Sequence, residues 1–65
     1  MVKSVSSDDV LTALKEAGFI FVSQKGSHLK LQDANGRTAV VPHPKKDLPI
    51  GTVKSIERQS GVKLR

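Results

Sequence analysis

Apolar residues recur at Val10, Leu11, Ala13, Leu14 and Ala17, the spacing of a helix with one apolar stripe. Ser6 and Asp9 give the S-x-x-D capping pattern ahead of that stripe, and Asp8 and Asp9 suit the positive end of a helix dipole. Gly18 supplies a left-handed stop, with Phe19 placed to fold back onto the helix end. The spacing therefore predicts a helix over 7–17. The period then changes from 3.6 to 2. Phe19-Ile20-Phe21-Val22 is aromatic and β-branched and predicts a strand, with Gln24-Lys25-Gly26 as a turn. Ser27 to Gln32 alternates, placing Leu29 and Leu31 on one face and His28, Lys30 and Gln32 on the other. Asn35-Gly36 is a hairpin signal, and Arg37 to Val41 predicts a third strand ended by Pro42. A proline-bounded loop over 43–49 leads to Ile50, Val53 and Ile56, with Gly61 as a second stop and Val62 as its contact. These predict a helix over 50–60 with a narrow apolar face, because Glu57 and Ser60 stand where a wider stripe would be apolar. The expected architecture is an α+β fold of order α-β-β-β-α. It has a three-stranded antiparallel sheet and two helices on one face, since nothing else can bury them. The other face, carrying His28, is expected to be open.

Length limits what this pattern can build. With 65 residues the chain is expected to be one domain over 1–65, burying only about 60% of its unfolded surface. It has no cysteine, so neither a disulfide nor a thiolate metal site adds stability. No apolar run approaches the roughly 20 residues that span a bilayer, and Met1 to Ser7 lacks the apolar core of a secretory leader. A soluble, cytoplasmic protein is expected. Charge adds the first functional bias. Eleven lysines and arginines against six acids give +5 at pH 7, which favours polyanionic partners, RNA and DNA first. The absence of Trp and Tyr argues against a single-strand binder that stacks bases on aromatics.

Candidate chemistry centres on His28. It falls on the expected open face with Lys30, directly after Lys25, Gly26 and Ser27. Gly26 permits close backbone approach, Ser27 can donate to a phosphate oxygen, and Lys25 and Lys30 supply positive charge along a phosphate path. An ordinary surface histidine on a strand fits the same position. His43, between Pro42 and Pro44, is either a loop residue or a second proton-transfer or phosphate-binding group. Lys45, Lys46, Lys54 and Arg58 form a second basic cluster, which a solvated surface also explains. Two histidines and scattered carboxylates offer no metal-ligand spacing, and no Walker loop, HExxH or GxSxG motif occurs. Neither metal nor other cofactor is expected. Asp8 and Asp9 are better explained as capping residues than as ligands.

Lys25-Gly26-Ser27-His28 after Ala17-Gly18-Phe19 resembles the HicA family of toxin ribonucleases. So do Val41-Pro42-His43, Lys46-Asp47-Leu48, Gly51-Thr52-Val53 with Ile56, and the closing Gln59-Ser60-Gly61-Val62. The ordered set spans nearly the whole chain. Glu57 departs from it, standing where an apolar residue is common. The resemblance implies a double-stranded-RNA-binding-like α-β-β-β-α fold. It also implies a metal-independent endoribonuclease that cuts mRNA and is silenced by a HicB-type antitoxin. The family's catalytic histidine falls on His28, with Gly26 and Ser27 matching its motif, and His43 matches a frequent family histidine. Lys25, Gly26, Ser27, Lys30, His43, Lys45 and Lys46 are the expected RNA-binding positions. Two other functions fit the residues themselves: a non-catalytic RNA-binding module, and a protein-interaction domain whose charge serves an acidic partner.

Overall fold

The computed structural model of the chain describes residues 5–64, so Met1–Ser4 and Arg65, with most of the Met1–Ser7 segment, lie outside the described residues. The element order is α1 (Ser7–Glu16), β1 (Ile20–Lys25), β2 (His28–Gln32), β3 (Thr38–Pro42) and α2 (Ile50–Ser60). The three strands form one antiparallel sheet in the order β1-β2-β3. This is the expected α+β fold.

Local chemistry sets the ends of both helices. At α1, the Asp9 amide donates to Ser6 Oγ at 3.1 Å and the Ser6 amide donates to Asp9 Oδ2 at 3.2 Å, a reciprocal capping box. Its other end closes with Gly18 N–H donating to Lys15 O and Phe19 N–H to Leu14 O, the paired bonds of a Schellman ending. Phe19 is thereby folded into the core at 3% exposure rather than starting β1. α2 begins without a side-chain cap, at Pro49, and ends at left-handed Gly61. Ser60 is buried in place of an apolar residue because its hydroxyl donates to Ile56 O at 2.7 Å and accepts from Val62 N–H at 3.1 Å.

Both hairpin turns depart from what their residues predict. Lys25 pairs directly with His28, so the first hairpin closes on the two residues Gly26 and Ser27. Gly26 has φ +60 and Ser27 has a negative φ, the arrangement of a type II′ turn. β1 therefore runs on through Ser23, Gln24 and Lys25, past the expected end at Val22, and β2 starts at His28 rather than Ser27. Between β2 and β3, Gly36 N–H donates to Asp33 O and Asp33 N–H donates to Arg37 O. With Gly36 at φ +86, this is a three-residue hairpin loop, and Asp33 Oδ1 accepts from the Asn35 and Arg37 amides.

The core joins Val10 and Leu14 of α1, Leu31, Ala39 and Val41 of the sheet, Val53 and Ile56 of α2, and Phe19 and Leu48 from the connections. Leu31 opposes Ala39 and Leu29 opposes Val41, so these four share the helix-facing side. Both helices thus cover one face, as expected. The cover is uneven: they pack chiefly against β3, leaving Leu29 half-buried and all of β1 exposed.

Candidate functional site

The opposite face of the sheet is open, and strand register determines what it carries. Lys25, His28 and Pro42 form one cross-strand row and Ser23, Lys30 and Val40 the next. His28 and Lys30 are exposed, as alternation with Leu29 and Leu31 requires. His28 is the first residue of β2, immediately after the tight Gly26-Ser27 turn, so it projects from the rim of the hairpin. Gly26 is accounted for by its turn conformation. The space where its side chain would be is open, and its carbonyl accepts from Gln24 Nε2 at 3.0 Å.

His43 N–H donates to Ser27 O at 2.7 Å, extending the β2–β3 ladder one step beyond His28 and Pro42. The same alternation turns His43 toward the helix side. There its Nδ1 lies 2.7 Å from Ser7 Oγ in the first turn of α1. Ser7 is 1% exposed. Its hydroxyl also accepts from Lys45 N–H at 2.9 Å, and its own N–H donates to Lys45 O at 2.8 Å. Asp8 Oδ1 stands 3.9 Å from His43 Nδ1. Ser7, His43 and Asp8 have the composition of a nucleophilic triad but not its geometry. Serine and carboxylate both address Nδ1, whereas a relay needs one on each ring nitrogen, and the hydroxyl is buried. The cluster is a tether holding the loop after β3 against α1.

The fold thus gathers Lys25, Gly26, Ser27, His28, His43, Lys45 and Lys46 at one end of the sheet, where the β1–β2 turn and the β3 exit meet. Lys30 lies one row further in. His28 and His43 belong to opposite faces and do not form a facing acid–base pair. Lys45 and Lys46 are exposed and border a shallow depression with Ser6, Ser7, Asp8 and Pro44. Lys54 and Arg58 lie apart, on α2. Among the described residues, no three or more His, Cys, Asp or Glu side chains converge as metal ligands, and no helix is long and apolar enough to cross a membrane.

Ser7 is the residue that sequence reasoning missed. Its neighbour Ser6 satisfies the capping pattern, so a second serine at the helix start carried the only hint. Ser7→Ala is expected to cost about 1–2 kcal/mol, because it strips partners from the Lys45 amide and from His43. Thermal melts should show the loss. In a double-mutant cycle with His43→Ala, the double mutant should lose less than the sum of the two single losses, because both remove the same hydrogen bond.

No match to the chain was found among curated proteins. The sequence of residues 7–62, from the first turn of α1 to the residue after Gly61, matches the family described as the HicA toxin of bacterial toxin-antitoxin. With that match running through every element of the fold, the chain belongs to the HicA toxin family of bacterial toxin–antitoxin systems.

Proposed function

We propose that this toxin is a metal-independent endoribonuclease that cuts mRNA, with His28 as its catalytic residue. The observation that carries the reading is the position of His28: solvent-exposed at the rim of a two-residue hairpin, paired with Lys25, on the face that also bears Lys30. The reaction is attack of a ribose 2′-hydroxyl oxygen on the adjacent phosphorus, with loss of the 5′-oxygen of the next nucleotide. It leaves a 2′,3′-cyclic phosphate and a 5′-hydroxyl. His28 takes the proton from the attacking hydroxyl, gives one to the leaving oxygen, or does both in turn, with solvent water exchanging the proton that His28 does not, and Lys25, Lys30 and Ser27 stabilise charge on the phosphorane. Gly26, His43, Lys45 and Lys46 at the same end of the sheet extend the path for the RNA backbone. Action on mRNA places the protein in the cytoplasm.

A HicB-type antitoxin neutralises it. The positive, His28-bearing side is a ready surface for acidic groups, and cross-linking or amide exchange should show protection there. The second reading is a non-catalytic RNA-binding module. It is favoured by the turn of His43 away from His28, which leaves Lys25 as the one ionisable strand partner of His28.

Incubation of the purified chain with RNA in chelator separates the two. Cleavage should persist in chelator, while DNA and RNA carrying a 2′-methoxy group at the cut site should resist, because the nucleophile is missing. A salt-sensitive gel shift with no cleavage would select the binding module instead.

A further inference from the structure

β1 is an edge strand, and it differs from the rest of the surface. All its residues are exposed, including Ile20 at 67%, Phe21 at 56% and Val22 at 45%. Among the described residues its one strand neighbour is β2, so the peptide groups along its outer side have no strand partner there. The helices pack on β3 and leave β1 uncovered. The row Phe21–Leu31–Ala39 consequently runs from exposed to fully buried across the sheet. On the other face, Ile20 heads the row shared with Gln32 and Thr38. Edge strands are normally guarded by charge, by proline or by a covering segment. Ile20 to Gln24 has neither charge nor proline, and the first charge is Lys25 at the strand's end. The bulge between Phe21 and Ser23 twists the edge locally, which discourages stacking of many strands more than pairing with one.

We infer that the outer edge of β1 is a strand-addition site for an extended segment of a protein partner, apolar where it meets Ile20–Val22 and acidic where it meets Lys25. The partner is the antitoxin that membership of a toxin–antitoxin family supplies. The inference does not depend on the cleavage chemistry, and failure of either leaves the other standing. Backbone pairing gives such a site its affinity, and alternate side chains give it specificity. Charge selects the occupant. A second copy of this chain would bring +5 against +5. Antiparallel pairing of β1 with itself would also set Lys25 opposite Ile20, giving the lysine no counter-charge. An acidic segment supplies one, and Lys30 on the same face adds to its attraction.

Amide spectra of the intact chain, titrated to about 1 mM with a capped peptide of about six residues, test this. The peptide carries glutamates in its first half and valine and isoleucine in its second, the order an antiparallel strand needs. Shifts should concentrate in Ile20–Lys25. Lysine in place of glutamate should weaken binding about tenfold or more. Methylation of alternate peptide nitrogens along the pairing edge should abolish it, as should Phe21→Lys in the protein. Absence of shifts, shifts centred on β3 or the helices, or binding that survives methylation would overturn the inference. Sedimentation of the chain alone should show a monomer; a dimer dissolved by Phe21→Lys would overturn it in favour of a second copy.

Discussion

Leu14→Ala is expected to leave most molecules unfolded at room temperature. Leu14 is fully buried on α1 and belongs to the cluster that joins both helices to the sheet. Truncating a buried leucine costs about 2–5 kcal/mol through lost burial and the cavity left behind. A core of this size rarely supplies more than about 3–5 kcal/mol. The loss therefore matches the whole stability of the domain, with no disulfide to hold the remainder. Circular dichroism with denaturant titration measures it. Ile20→Ala is the comparison: at 67% exposure it should change stability by less than about 0.5 kcal/mol. A cooperative Leu14→Ala melt close to wild type would mean that the core is not organised around α1 as described.

The contrast between Leu14 and Ile20 also explains which parts of the fold were legible in the sequence. Hydrophobic periodicity records burial. α1, β2, β3 and α2 each bury one face, and each announced itself through spacing: Val10 with Leu14, Leu31 with the half-buried Leu29, Ala39 with Val41, and Val53 with Ile56. β1 buries neither face. Its second half, Ser23-Gln24-Lys25, is held in the sheet by pairing with Lys30, Leu29 and His28 rather than by apolar contact, so no pattern in its own residues marked it as strand. Ser60 erred the other way. A serine reads as surface, yet its hydroxyl bonds satisfy it inside the core.

The candidate site divides similarly. The exposure of His28 follows from parity with Leu31 alone, and its pairing with Lys25 follows from the Gly26 turn between them. The setting of His43 depends on Ser7, a residue 36 positions away. Local spacing holds no trace of a contact at that separation. The convergence of Lys45 and Lys46 on the same end of the sheet as Ser27 likewise follows from the closing of the β2–β3 ladder at His43, which composition does not encode.

His28→Ala is expected to remove RNA cleavage while leaving folding and most RNA affinity intact. The side chain is exposed and fills no cavity, so stability should change by less than about 0.5 kcal/mol. Affinity should survive because phosphate contacts belong mainly to lysines and arginines, and Lys25, Lys30, Lys45 and Lys46 remain. The rate should fall by a general acid–base factor, on the order of 10²–10⁴. His43→Ala should behave differently: it loosens the tether to Ser7, lowering stability while cleavage continues. The decisive measurement is the single-turnover rate of RNA cleavage in chelator for the wild-type chain and for His28→Ala, each shown by circular dichroism to be folded. The account predicts cleavage by the wild type and a rate at least about a hundredfold lower in the mutant. A folded His28→Ala protein that cuts at the wild-type rate, or a folded wild-type chain that does not cut RNA at all, would contradict it.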